Sequence, residues 1–490
     1  METLENYFNT YREKIIGIDA EYTTPYGLQK LIYADWVASG RLYNEIERAI
    51  TEKFGPFVAN THTESSETGT RMTLSYHYAH EIIKKHVNAG SSDVIITAGF
   101  GMTSVVNKLQ RILGLKADHS KKHNEQTDTD DKPVVFLTHM EHHSNQTSWY
   151  ETIADVVVLN PDSDLLVDLN ELRRQLDKYK SRKFKIGAFT ACSNVTGIIT
   201  PYHQMARIMH EQGGVCFIDF AASAPYVDID MHPENELEKL DAIYFSPHKF
   251  LGGPGSSGVL IFDSSLYKNE VPDEPGGGTV DWTNPWGAYK YIDNIEARED
   301  GGTPGFIQAI RAALAIKLKQ EMGTDKIEAR EKELIQLALK ELRSIPGVKI
   351  LADLQVKRLG ILSFYHPDIH YNLIVKLLSD RYGIQVRGGC VCAGTYGHLL
   401  LEVSYERSLE ITNKISQGDL SEKPGWVRLS LHPTLKDAEI RYFGKALREI
   451  VVNHKKWSND YVYCNKKNEY AHKLGNSVMK NEIENWFNCI

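Results

Sequence analysis

The stretch Phe245–Gly255, FSPHKFLGGPG, sets His248 and Lys249 side by side where the apolar run LDAIYF ends and a glycine-rich turn begins. Lysine is rarely buried unless it is paired or consumed in chemistry, and open α/β sheets collect their functional groups at strand ends. Taken alone, the segment favours a plainer reading, a strand-end lysine snorkelling to water. Other strand ends change the balance. FIDFAAS places Asp219 inside an apolar run, where a lone carboxylate is costly unless a cation meets it. AGFGMTSVVNKL puts Gly101, Met102 and Thr103 at the mouth of a helix, the arrangement that frees backbone N–H groups for a phosphate, although many α/β turns look the same. MEHHSN supplies Glu141, His142 and His143. A metal is disfavoured there, because adjacent histidines seldom converge on one ion without a third ligand at helical spacing. SNVTG carries Asn194 to a further strand end, and VRGGCVCAGTYG holds Arg387, Cys390 and Cys392 among glycines that let the chain turn tightly.

A buried carboxylate, a lysine at a neighbouring strand end, a phosphate cradle and a histidine able to lie flat on a ring fit one cofactor, pyridoxal 5′-phosphate. Its aldehyde takes the Lys249 amine as a Schiff base, and Asp219 keeps the pyridine nitrogen protonated so that the ring acts as an electron sink.

The elements that must position these groups are legible as alternation. DVIITAG, PVVFLTH, ADVVVLN, KIGAFTACS, VCFIDFAAS, DAIYFS and GVLIFD are mostly continuous apolar runs separated by amphipathic helical stretches. Continuous rather than alternating runs are strands covered on both faces, which predicts a mainly parallel sheet wrapped by helices. After Pro304 come two long helical stretches and then shorter strand candidates, GILSFYH, IQVRGGC and WVRLSLH. The reading is a large domain over 33–303, a smaller α+β domain over 304–455, an N-terminal segment 1–32 packing with the latter, and a tail, 456–490, without a usable motif. The stretch 116–132 is too polar to bury and reads as an exposed insertion.

Composition sets the outer limits. The chain has 490 residues, a net charge of -8 and a pI near 6.2, which leaves no electrostatic footprint for nucleic acid or an anionic membrane. The N-terminus lacks the apolar core of a signal peptide and no long uncharged span occurs, so a cytoplasmic protein is expected. Six scattered cysteines (192, 216, 390, 392, 464 and 489) make no disulfide framework.

Taken in order, EHH, SNVTG, the Asp219 strand, SPHK, GGTPG and RGGCVCAG make the sequence resemble, from about Tyr33 to Ile450, the class V aminotransferase-like superfamily of fold-type I enzymes. Within it the resemblance is closest to group II cysteine desulfurases and selenocysteine lyases. It implies the PLP-dependent transferase fold type I, an α/β arrangement with a mainly parallel seven-stranded sheet and a smaller α+β domain. It also implies roles. Lys249 would hold the cofactor aldehyde, Asp219 the pyridine nitrogen, and His142 would stack on the ring. Gly101, Met102, Thr103, Ser246 and His248 would hold the phosphate, with Asn194 near the ring oxygen. Gly302 and Thr303 would reach the phosphate of a partner subunit, implying a homodimer. Arg387, with Asn194 and His62, would bind the substrate, the arginine taking its carboxylate. Cys392 falls on the nucleophile, no metal is implied, and the substrate would be cysteine, its sulfur leaving as a Cys392 persulfide for an acceptor protein with alanine as product.

Two departures bear on the reaction. Three residues after Asp219, where such desulfurases carry a glutamine whose amide reaches the ring oxygen, stands Ala222; and Cys390 adds a second thiol, as in relatives resembling molybdenum-cofactor sulfurases. The segment from Glu402 to Trp426 also looks extended, long enough to lid the pocket. Two other readings stay open: an aminotransferase, epimerase or β-lyase without thiol chemistry, and a thiol-metal module around Cys390, Cys392 and His398.

Overall fold

The computed structural model describes residues 2–116, 131–475 and 477–488. The insertion expected at 116–132 lies, apart from its ends, outside the described residues. Seven strands form the central sheet: β1 (Asp93–Ala98), β2 (Val134–Leu137), β3 (Asp155–Val158), β4 (Lys185–Thr190), β5 (Val215–Asp219), β6 (Ala242–Phe245) and β7 (Gly258–Asp263). Their order is β1-β7-β6-β5-β4-β2-β3. Strands β2 to β6 pair parallel, and β7 runs antiparallel to both β6 and β1. This is the mixed, mostly parallel α/β sheet of fold type I.

The apolar runs are continuous because the strands are buried on both sides, save the edge strand β3, which is half-buried throughout. Val134 and Phe136 join one core with Phe189, Ile218 and Phe245, while Val135 and Leu137 join another with Ile186, Phe217 and Tyr244. Successive side chains point to opposite faces, so two cores need an apolar residue at every position. Helix Met102–Ile112 covers the second face with Val105, Val106 and Leu109.

Beyond the sheet, helices Phe306–Met322 and Thr324–Arg343 meet at Gly323, whose φ of +77° makes the turn between them. An antiparallel sheet follows in the order Lys349–Ile350, Ile361–Tyr365, Trp426–Ser430, Arg387–Gly389. The run IQVRGGC is two strands rather than one: Ile384–Gln385 pairs parallel with Ile32–Tyr33, and Arg387–Gly389 pairs with Trp426–Ser430. The N-terminal helix Leu4–Arg12 is tied to this part of the chain, with Arg12 donating to the Thr434 carbonyl at 2.9 Å and pairing with Glu439 at 2.7 Å. Past the long helix Asp437–Trp457, the chain forms a hairpin, Tyr461–Cys464 with Glu469–His472. Among the described residues no helix is long and apolar enough to cross a membrane.

Candidate active site

Strand ends β1, β2, β4, β5 and β6 open onto one cavity of about 360 Å³, lined by Thr103, His142, Asn194, Asp219, Ser246, Lys249, Arg387, Cys392 and Arg428 among others. A larger cavity, about 620 Å³, lies between helix Thr324–Arg343 and residues 356–359. The smaller one is the candidate site, because only it gathers an amine, a thiol and a buried carboxylate.

Lys249 ends a short turn, Pro247–Lys249, directly after β6. The glycines that follow are a packing requirement: a Cβ on Gly253 would stand 1.9 Å from the Pro247 carbonyl oxygen. Burial pushes the Lys249 ammonium down to about 8, against the pull of Asp219, with Arg428 and Arg387 adding to the depression. Asp219 closes β5, is 4% exposed, and accepts a 2.8 Å hydrogen bond from Ala221 N–H. Burial raises its carboxyl to about 6, while that backbone bond and Lys249 oppose the rise. Such a carboxylate is stabilised by a cation placed against it.

His142 caps helix His143–Tyr150, its Nδ1 accepting from Ser144 N–H at 3.1 Å. A backbone N–H can only donate, so the neutral ring carries its proton on Nε2. Burial, with Lys249 nearby, lowers the imidazole to about 3 and keeps it neutral across the working range. Glu141 beside it is wholly buried and holds the strand ends together, accepting from Thr138 Oγ1 at 2.6 Å and Thr190 N–H at 2.9 Å.

At the other end of the cavity, helix Met102–Ile112 starts at Gly101 with no side chain capping it. Met102 N–H donates to Ser246 Oγ at 2.8 Å, and Thr103 Oγ1 lies 2.7 Å from Ser144 Oγ. Burial lowers His248 to about 4, so it too is neutral. Uncapped N–H groups, the helix dipole and three hydroxyls suit a phosphate. With Asp219 and Lys249 lining the same cavity, the residues present fit pyridoxal 5′-phosphate.

The substrate side holds a feature absent from the sequence reading. Arg387 and Arg428 are cross-strand neighbours, and both bind Asp35: Arg387 Nε donates to Oδ2 at 2.9 Å and Arg428 Nη2 to Oδ1 at 2.8 Å. Arg428 is buried, also donates to the Asn194 carbonyl at 3.2 Å, and its Nε has no partner among the described residues. The signal was available, a charge inside the apolar run WVRLSLH, the same sign that singled out Asp219.

Cys392 is exposed at the cavity edge, whereas Cys390 is half-buried against the apolar cluster of Tyr396 and Trp426. Val391 and Cys392 both have left-handed backbones, φ +42° and +60°, costing about 1–3 kcal/mol each in a residue with a Cβ. Three bonds hold the loop there: Asn194 Nδ2 donates to the Val391 carbonyl at 2.7 Å, His143 N–H to the Cys392 carbonyl at 2.7 Å, and Gly394 N–H to His143 Nε2 at 2.9 Å. Asn194 therefore lies in the cavity with one amide N–H given to the cysteine loop. Ala222 lines the cavity where the departure was noted. His398, the candidate third ligand of a thiol-metal site, has Nδ1 2.8 Å from the Gly394 carbonyl and Nε2 2.9 Å from Ser408 Oγ.

His62, Gly302 and Thr303 do not line this cavity. Gly302 N–H donates to the Gly277 carbonyl at 2.8 Å, and a Cβ on Gly278 would come 3.6 Å from the His62 ring, so the three gather at one surface site. Nor does the extended segment lid the cavity: its helix, Tyr405–Ser416, contributes no lining residue.

The chain has recognisable relatives. Over 368 residues, 74% of this chain and 84% of the other, the sequence is 30% identical to a protein of Halalkalibacterium halodurans named probable cysteine desulfurase. A protein of Staphylococcus epidermidis with the same name is 29% identical over 371 residues, again 74% and 84% of the two chains. Among solved structures, a cysteine desulfurase from Thermococcus onnurineus NA1 superposes with a TM-score of 0.71 at 22% identity, covering 91% of this chain and 98% of that one. One from Escherichia coli gives 0.70 with the same identity and coverage. At such identity the superpositions speak to the fold alone. The family model described as aminotransferase class-V matches residues 32–443, most of the length, and the chain belongs to that family.

Proposed function

We propose that this chain is a pyridoxal 5′-phosphate-dependent cysteine desulfurase, or a selenocysteine lyase by the same chemistry. The observation that carries the reading is a thiol, Cys392, on a strained turn at the edge of the cavity that also holds Lys249 and the Arg387–Arg428 pair. An aminotransferase has no use for that thiol.

Arg387 and Arg428 take the substrate carboxylate and thereby fix which bond at the α-carbon faces Lys249. Thr103, Ser246 and His248 would hold the phosphate, His142 would meet the ring as a neutral imidazole, and Asp219 would pair with its nitrogen. When bound, the cofactor supplies an electron sink for the α-carbon. Lys249, its ammonium lowered to about 8, has a useful free-amine fraction near neutrality and removes the α-proton. The Cys392 thiolate then attacks the substrate sulfur: the S–S bond forms, the C–S bond breaks, and its electron pair stays with the carbon that is later protonated. Alanine leaves, and the enzyme keeps a persulfide for an acceptor protein.

A homodimer belongs to the same proposal. His62, Gly302 and Thr303 gather outside their own cavity, beside an exposed hairpin carrying Trp282 and Trp286, the latter 88% exposed. A second copy covering this face would give them a phosphate to meet. A cytoplasmic setting fits a persulfide-forming thiol, and all five described cysteines are free.

The test is to incubate the purified protein with cysteine and a thiol reductant. Alanine and sulfide should appear in equal amounts, and borohydride should fix the cofactor on the peptide containing SPHKFLGG. Exchange of amino and keto groups between substrates without release of sulfur would replace this reading with the aminotransferase one.

A further inference from the structure

The tail beyond residue 456 has no part in the chemistry above, yet its hairpin is bonded to the helix that lies under the strand leading into the cysteine loop. At the hairpin turn Asn468 is 7% exposed and has φ +56°. Its Nδ2 donates to Tyr371 Oη at 2.5 Å, its Oδ1 accepts from Tyr463 Oη at 2.8 Å, and its carbonyl accepts from Asn372 Nδ2 at 2.5 Å. Tyr371 in turn donates to the Lys423 carbonyl at 3.0 Å. The base of the hairpin is fixed to the same helix, Tyr371–Tyr382, by Tyr461 Oη donating to Asp380 at 3.0 Å.

Tyr371 and Asn372 are the floor under the strand that leads into Cys392. A Cβ on Gly388 would stand 2.2 Å from Asn372 Oδ1, and one on Gly425 would stand 2.6 Å from the Tyr371 ring and 2.9 Å from Gly389 Cα. The two strands that converge on the loop, Arg387–Gly389 and Trp426–Ser430, are thus glycine-thin where they rest on this floor. The left-handed pair Val391 and Cys392 persists only if its surroundings over-determine it. Asn194 and His143 hold it from the cavity side, and the floor bonded to the hairpin underlies the strand that leads into it.

We propose that the C-terminal hairpin, through Asn468 and Tyr371, positions the Cys392 loop for attack on the substrate sulfur. The inference rests on the desulfurase reading. Asn468 and Tyr371 touch neither substrate nor cofactor; they are positioning residues, and the tail is part of the catalytic apparatus rather than an appendage.

Two full-length variants test it. Asn468→Gly keeps a residue at ease with positive φ and removes only the side-chain bonds; Tyr371→Phe keeps the ring against Gly388 and Gly425 and removes only the hydroxyl. Each is assayed on cysteine and on β-chloroalanine, whose chloride leaves without a nucleophile and so needs Lys249 but not Cys392. Both variants should lose about tenfold in kcat on cysteine and keep β-chloroalanine elimination within about twofold. Alkylation of Cys392 by iodoacetamide, followed by peptide mass spectrometry, should quicken several-fold as the loop loosens. Equal loss on both substrates, or no change in either variant, overturns the inference. Should the wild type release no sulfur from cysteine, the desulfurase reading falls, and the alkylation rate decides by itself whether the hairpin positions the loop.

Discussion

Replacing Arg387 by glutamine removes one charge from the carboxylate clamp and leaves the buried fold alone, because this side chain is 51% exposed whereas that of Arg428 is 4% exposed. Two guanidinium groups share one carboxylate at 2.9 and 2.8 Å, so the clamp presents a net charge of about +1 to an incoming carboxylate. In Arg387→Gln the remaining Arg428–Asp35 pair is neutral. A charge-assisted hydrogen bond contributes about 1.5–3 kcal/mol; with half the side chain in water, about 2 kcal/mol is the reasonable figure, or roughly thirtyfold. The contact is made alike in the bound substrate and the transition state, so the loss should fall on KM with kcat little changed. Comparing kcat/KM for cysteine and for its methyl ester isolates the carboxylate: the wild type should prefer the acid, and the variant should lose about thirtyfold of that preference. Arg387→Lys should fall between, since a point charge cannot reproduce the parallel bonds of a guanidinium. Arg428→Gln should reduce the preference similarly but also destabilise the fold by about 3–5 kcal/mol, because it breaks a buried pair. If Arg387→Gln discriminates acid from ester as well as the wild type does, the carboxylate is bound elsewhere and the orientation argued for Lys249 loses its basis.

Other consequences are as direct. Cys392→Ala should bind cofactor and eliminate chloride from β-chloroalanine normally while sulfur release from cysteine drops by about 10³-fold or more; Cys390→Ala, which removes a half-buried thiol, should cost less than tenfold, and similar losses in the two would point to a shared dithiol. Lys249→Ala should retain cofactor noncovalently, as read by fluorescence titration, and lose turnover by about 10³-fold or more. Stability should depend on pH through Glu331, a buried carboxyl raised from its ordinary 4.5 to about 8 by burial. Its neutral form is the one the fold accepts, so its contribution is intact below about 4.5 and is lost as pH rises through about 8. Urea unfolding of Glu331→Gln against the wild type should therefore coincide at pH 4 and diverge toward pH 8 by about 2–4 kcal/mol in favour of the variant; parallel stabilities across that range would show that the carboxyl titrates normally.

What was legible in the sequence divides along a physical line. The central strands were readable because all but the half-buried edge strand Asp155–Val158 are buried on both faces, which forces a run of apolar residues no helix of that length requires. Asp219 and Lys249 were readable because a charge in such a run demands an explanation. Arg428 carried the same mark but sat in no motif, and Asp35 lay in an unremarked loop; their meeting depends on cross-strand register and on a bridge between Asp35 and Ser430, neither of which leaves a local trace. IQVRGGC reads as one strand because nothing local says that the chain changes partners at Val386. Asn468 was invisible for the same reason: its partner Tyr371 is 97 residues away, and a short hairpin of mixed charge and aromatics has no periodicity to betray a buried turn.

Arg387 and Cys392 occupy one short segment, strand Arg387–Gly389 and the turn after it, and this makes the register of that strand a functional quantity. Pairing Arg387 with Arg428 sets the clamp, and the left-handed turn at Val391 and Cys392 then returns the thiol to the same cavity. A slip of one residue would turn Arg387 to the opposite face and carry the thiol with it. Clamp and nucleophile cannot be tuned separately along this stretch, so what fixes the strand from outside matters as much as what it carries. Asp35 grips it through Arg387, Asn194 and His143 grip the turn, and Tyr371 supports the glycines between them. These grips come from residues scattered across the chain, and together they hold a mobile-looking run of glycines and cysteines in a single, strained arrangement.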